Sequence, residues 1–325
     1  MKVRYYWIDW MKVIGMFFII WGHFFPSYFT DIIYSFNVPL FFCISGYLGV
    51  GKKKLKPLLI PYLVICITYL FLDIPFQYKA GDLSLLNYAR SVGYMLLGFQ
   101  TTPHGVNASA MWFVYTLALC KVLHYILQRD TYRGFIALLC LLFAYATRNS
   151  HLFWSYQNVF ICYPFYFMGA LLYEYGQSQI KKIMRLAKTK SLLCVLLICL
   201  LVTTLSLAAP SNGFVMMYQC GYGNNIILFL LLSIIGISIV FLLALLLECV
   251  RPKFLLIISQ GNIVILAYHY LGIRLFNSIC KMISIDLMNN DLLTFCMSLI
   301  LLVVHIPIIK CVSRYFPIIM GGRKI

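Results

Sequence analysis

Apolar residues recur along this chain in runs of about twenty, without the alternation of polar and apolar positions that a barrel strand requires. The runs and their breakers predict ten helices, over residues 11–29, 32–50, 58–77, 110–128, 133–147, 156–174, 190–209, 224–248, 256–279 and 292–314. At about 1.5 Å of rise per residue, runs of this length cross roughly 30 Å of hydrocarbon. Residues 78–109 are the longest connector, polar except for a short apolar piece at 94–99, and read as a loop with a partial helix. The expected fold is all-α, a polytopic transmembrane helix bundle of about ten spans.

Composition agrees with the pattern. Of 325 residues, 62% are hydrophobic and 11% charged, where a soluble domain has roughly 45–50% and about 25%. No internal repeat and no linker is visible, so residues 1–325 read as one integral-membrane domain. The net charge of +17 does not point to nucleic acid, which needs basic residues grouped on a soluble face with stacking aromatics. Here they lie in short connectors. Assigning the connectors alternately to two sides places all but five of the 26 Lys and Arg on the side of the N-terminus; the five are Lys79, Arg90, Arg148, Arg274 and Lys281. Positive charge concentrates on the cytoplasmic side of membrane proteins, so both termini are expected there. The twelve cysteines, Cys220 apart, lie in or beside apolar runs and include no CxxC pair, so they read as small buried hydrophobes, with neither disulfides nor a metal site. Lys2 and Arg4 before an apolar stretch imitate a signal peptide, but Gly22 and His23 stand where small residues would mark cleavage.

The first run carries three ionisable residues, Asp9, Lys12 and His23. Such groups are costly in hydrocarbon and are functional candidates by default. Eleven residues separate Lys12 from His23; at about 100° each they return to within about 20° of the same face, roughly 16 Å further along the axis. The two therefore share one stripe. Asp9, three residues before Lys12, is in reach as its partner. Lys12 could instead extend to the headgroups, and His23 could be a satisfied structural residue. As a base, His23 has the side chain whose ordinary pKa suits proton transfer near neutrality.

Further along, GYLGVGKK imitates a phosphate-binding loop, yet Lys53 replaces the required Ser or Thr and no strand precedes it. What remains is a lysine cluster, Lys52, Lys53, Lys54 and Lys56, readable as a topology signal or as a cradle for donor phosphates. His104 lies in the long connector, Trp112 opens the fourth span as an interfacial anchor or a sugar platform, and His269 sits deep in the ninth run as a lining or a structural residue. Glu174 closes the sixth span and reads as interface polarity.

Taken in order, RYYWIDWMKVIGMFFIIWGH, FNVPLFFCISGYL, KKKLKPLLIPYL, AMWFVYTL, YPFYFMGALLYE, GNIVILAYHYLGIR and the terminal YFP resemble the acyltransferase-3 family of membrane O-acyltransferases, most closely its branch similar to fucose 4-O-acetylases. The resemblance implies a ten-span enzyme of the bacterial inner membrane that moves an acyl group, usually acetyl, from cytosolic acyl-CoA to a carbohydrate hydroxyl. The donor would be a substrate, and no permanently bound cofactor is implied. The family's pattern of a basic residue, ten residues and a histidine falls on Lys12 and His23, and its paired-basic signature on Lys53 and Lys56. Lys stands where much of the family has Arg, and Asn37 where many members have His.

On this reading His23, Lys12 and Asp9 are the candidate catalytic group. Lys52, Lys53 and Lys56 are the candidate donor contacts, and Asn37, His104, Trp112 and His269 the candidate acceptor contacts. A succinyl donor and a polysaccharide exporter without acyl transfer are the alternatives.

Overall fold

The computed structural model describes residues 4–49, 55–81, 84–98, 109–150, 156–282, 284 and 290–322. Its helices are α1 (Tyr6–Gly22), α2 (Thr30–Tyr34), α3 (Asn37–Gly49), α4 (Lys56–Ala80), α5 (Leu85–Leu96), α6 (Trp112–Ile126), α7 (Asp130–Ala146), α8 (Asn158–Glu174), α9 (Gln177–Thr189), α10 (Ser191–Asn212), α11 (Ile226–Leu246), α12 (Lys253–Met282) and α13 (Asp291–Tyr315). The protein is an all-α membrane bundle. Among the described residues six helical stretches are long and apolar enough to cross a bilayer: Thr30–Gly49, Lys56–Lys79, Ser191–Asn212, Ile226–Leu246, Lys253–Met282 and Asp291–Tyr315. The remaining expected spans fall on α1, α6, α7 and α8, at 15 to 17 residues each.

Several boundaries differ from the expected ones, each for a local reason. The first helix ends at Gly22 rather than 29, because Phe25 adopts a left-handed φ of 51° and Pro26 disfavours helical backbone in the residue before it. The second span is two helices, interrupted at 35–36. Pro39, four residues on, has no N–H to donate to the Ser35 carbonyl, and the Ser233 hydroxyl on α11 donates to it at 2.7 Å. Irregular backbone at membrane depth persists where such protein partners satisfy it. The connector after α8 forms α9, with Ile180 and Ala187 buried while Lys181, Lys182, Arg185 and Lys188 stay exposed. In the long connector, α5 begins at Leu85 behind Ser84, whose hydroxyl accepts from Asn87 N–H at 3.2 Å. Between α10 and α11 a two-stranded hairpin pairs Val215 with Tyr222 and Met216 with Gly221; Asn212 holds it by donating to the Tyr222 carbonyl at 3.2 Å and accepting from Asn225 N–H at 2.9 Å.

α1 is the central helix, packed against α3, α11, α12 and α13. Its first-turn N–H groups have no intrahelical acceptor, and the buried Glu248 carboxylate, just past α11, accepts from Tyr6 and Trp7. α3 and α8 cross closely. A Cβ on Gly46 would lie 1.9 Å from the Tyr166 carbonyl oxygen, and one on Gly169 would lie 1.9 Å from the Cys43 carbonyl oxygen. Small residues of this kind let membrane helices gain van der Waals contact where no hydrophobic drive separates them from lipid.

Candidate functional site

The stripe inferred on α1 is real and it faces two cavities. The larger, about 690 Å³, is lined at its α1 wall by Lys12, Met16 and Ile19. Lys121 of α6, Tyr166 of α8, and Ser259, Gln260 and Asn262 of α12 add polar groups to walls that are otherwise mainly apolar. The smaller, about 130 Å³, is lined by Ile19 and His23, with Tyr34, Asn37, Trp112 and Tyr270. Ile19, Phe113 and Leu266 line both, so these three side chains form the partition between them. Residues 12, 16, 19 and 23 recur at three- and four-residue spacing, which is why one helix face supplies the wall of both cavities.

Asp9 is 5% exposed, and it has two partners that sequence spacing did not suggest. Arg4 grips it through two nitrogens, Nε to Oδ2 at 2.9 Å and Nη2 to Oδ1 at 3.0 Å. Ser259 Oγ on α12 donates to the same carboxylate. The carboxylate's hydrogen bond holds the Arg4 guanidinium pKa above its ordinary value. Asp9 therefore ties the entry of α1 to α12 beside the large cavity, since Ser259 lines that cavity.

His23 is half-buried at the C-terminal end of α1. Its Nδ1 is 2.7 Å from the Ile19 carbonyl oxygen and 3.1 Å from His269 Nε2. The two imidazole centroids are 4.8 Å apart, and Tyr270 packs against both rings, at 4.5 Å from His23 and 4.7 Å from His269. His269 itself is fully buried; it touches His23 and is not among the residues lining either cavity.

The other expected site residues divide. Asn37 and Trp112 join His23 around the small cavity. Asn37 Oδ1 accepts from Val38 N–H at 2.7 Å, and the Trp112 ring lies 6.2 Å from Tyr218 of the hairpin. Met216, Met217 and Tyr218 line the same cavity, so the hairpin closes one side of it. Lys56 is exposed at the start of α4, immediately before Pro57 and Leu58, which line the large cavity. Lys52, Lys53 and His104 lie outside the described residues. Among the described residues no group of three or more His, Cys, Asp or Glu is arranged to hold a metal ion.

Sequence reasoning passed over Lys121, Asn262, Tyr34, Tyr270 and the hairpin. The run SQGN at 259–262 carried a usable signal, four polar or small residues in succession inside an apolar span. Lys121 carried a weaker one, because a lysine within one turn or two of a helix end also suits a membrane interface.

A family description of an acyltransferase domain, of the acyltransferase-3 type, matches residues 5–309. Neither a curated protein nor a solved structure matches the chain.

Proposed function

The chain belongs to the acyltransferase-3 family and is a multi-pass membrane acyltransferase, and we propose that it moves an acetyl group from cytosolic acetyl-CoA to a hydroxyl of a surface or lipid-linked carbohydrate. The observation that carries this reading is the α1 stripe, with Lys12 on one cavity and His23 on the other. The large cavity falls within the 300–1,000 Å³ usual for small-molecule sites and has the mixed lining that an amide-bearing thioester arm needs. Lys12 and Lys121 suit the anionic donor, and Lys52, Lys53 and Lys56 suit its phosphates as compact point charges. With the basic connectors in the cytoplasm of a bacterial cell, this cavity meets the CoA pool from the inner-membrane face.

His23 then acts as the general base. Its nitrogen accepts the proton of the acceptor hydroxyl, the hydroxyl oxygen bonds to the thioester carbonyl carbon, and the carbon–sulfur bond breaks. The proton on His23 passes to the departing CoA sulfur, which returns the imidazole to neutrality. General-base assistance of this kind contributes about 10²–10⁴-fold. The small cavity accommodates the reacting hydroxyl rather than a whole sugar, and Asn37, Trp112, Tyr34 and Tyr218 supply hydrogen-bonding and stacking edges around it. His104 completes the acceptor contacts on this reading. The thioester carbonyl reaches His23 by passing the partition of Ile19, Phe113 and Leu266.

His23→Ala protein, inserted in membranes to the wild-type level, should transfer acetyl from acetyl-CoA to the cell's glycan at least about 100-fold more slowly. Transfer at the wild-type rate would refute the assignment. Mass spectrometry of the glycan separates acetyl from the runner-up, succinyl, by the mass added per residue. An exporter would carry glycan while leaving acetyl-CoA unconsumed.

A further inference from the structure

Two histidines meet in this structure, and the hydrogen bonds around them assign every ring nitrogen. His269 Nδ1 faces two backbone carbonyl oxygens one turn back on α12, Ile265 at 2.9 Å and Leu266 at 3.0 Å. Carbonyl oxygens only accept, so Nδ1 carries the proton, and in a neutral imidazole Nε2 is then a bare acceptor. That acceptor lies 3.1 Å from His23 Nδ1. His23 Nδ1 in turn lies 2.7 Å from the Ile19 carbonyl oxygen, so it too carries a proton, shared between the Ile19 oxygen and His269 Nε2. The remaining nitrogen, His23 Nε2, holds the only lone pair of that ring. A second proton on His269 would set two N–H groups against each other across the 3.1 Å contact.

We propose that His269 is a positioning residue: its Nε2 lone pair joins the Ile19 carbonyl in holding His23 in the Nδ1–H tautomer and fixes its ring, leaving His23 Nε2 as the base that faces the acceptor cavity. This rests on the reading of His23 as the base. The role is the one a carboxylate plays beside a catalytic histidine, where the second group sets tautomer and orientation without itself taking the proton. An imidazole does this without adding a negative charge, which suits a site enclosed by apolar helices, where an unpaired carboxylate is costly. Packing supports the same conclusion. His269 has 0% exposure, and Tyr270 packs at a tilt against both rings, which restricts how either imidazole can turn. His269 lines neither cavity, which leaves it no direct contact with donor or acceptor there.

The experiment uses the full chain, purified with its histidines labelled with nitrogen-15, together with His269→Leu and His269→Gln. Leucine removes the acceptor, whereas the glutamine side-chain oxygen can replace Nε2. His23→Asn identifies the His23 resonances by their loss. Nitrogen-15 shifts distinguish protonated from bare ring nitrogens without any turnover. The wild type should show His23 as the Nδ1–H tautomer, His269→Leu a raised share of the Nε2–H tautomer because only the Ile19 carbonyl still accepts from Nδ1, and His269→Gln the wild-type state. In membranes carrying the cell's own glycan, with acetyl-CoA varied, His269→Leu should lower kcat about 10–100-fold with KM for acetyl-CoA unchanged, and His269→Gln should recover most of it. A wild-type His23 carrying its proton on Nε2, a tautomer unchanged in His269→Leu, a kcat unaffected by that tautomer shift, or a glutamine variant no better than leucine would each overturn the proposal. Unimpaired transfer by His23→Ala counts instead against the functional reading, because the tautomer measurement does not depend on activity.

Discussion

Gly46→Ala probes the crossing that shapes the large cavity. The added Cβ would stand 1.9 Å from the Tyr166 carbonyl oxygen, whereas real Cβ contacts essentially never fall below 3.0 Å, so α3 and α8 must separate by about 1.1 Å. The neighbour is backbone, which cannot swing aside as a side chain can. Overpacking of this kind costs about 1–3 kcal/mol, and here it also strips van der Waals contact from a crossing that depends on it. Ser45, Leu48, Gly49 and Tyr166 line the cavity, so the same shift should weaken donor binding, raising KM for acetyl-CoA more than it lowers kcat. Trp7 packs edge-on against Tyr47 of α3, with centroids 5.4 Å apart, which makes tryptophan fluorescence a local reporter of unfolding in detergent. Gly93→Ala is the control, since nothing lies within 4 Å of a Cβ there. Equal unfolding midpoints for Gly46→Ala and Gly93→Ala would refute the reasoning.

Three further outcomes are expected. Phe113→Ala should breach the partition between the cavities of about 690 and 130 Å³ and let butyryl- and hexanoyl-CoA be consumed relative to acetyl-CoA; an unchanged chain-length profile counts against the partition. A double-mutant cycle of Asp9→Asn with Arg4→Gln should give a coupling of about 1 kcal/mol, the worth of a charge-assisted pair discounted for the partly exposed Arg4 side chain; strictly additive midpoints would dissolve the pair. Burial pushes the Cys220 thiol up to about 11, so peptide mapping after alkylation should find it unmodified in the folded protein at pH 8–9 and modified as pH approaches 11. The sign follows: an unfolded chain gives up this proton near its ordinary value of 9.0 while the folded one keeps it, so the stability linked to Cys220 is lost as pH rises through that window. Ready alkylation of the native protein at pH 8 contradicts this.

How much of this was legible in the sequence depends on the range of the interaction. Spans follow from the length of apolar runs, because a bilayer imposes one thickness on every helix that crosses it. The stripe from Lys12 to His23 follows from the turn angle, which is a property of one helix alone, and the cavities confirm it. The end of α1 and the break in the second span were missed, although Pro26, Asn37 and Pro39 stood in plain view, because a long apolar pattern does not say which breaker prevails. Partners lay beyond reach altogether. Asp9 is 250 residues from Ser259, and His23 is 246 residues from His269. Nothing in local periodicity says that α12 lies beside α1 or which of its faces turns inward. The sequence by itself determined a basic, helical membrane protein with one polar stripe and a histidine at its far end. Only the tertiary structure decided that the stripe walls two cavities, that Arg4 and Ser259 hold Asp9, and that a second imidazole sets the tautomer of the first, because those facts arise where helices meet rather than along any one of them.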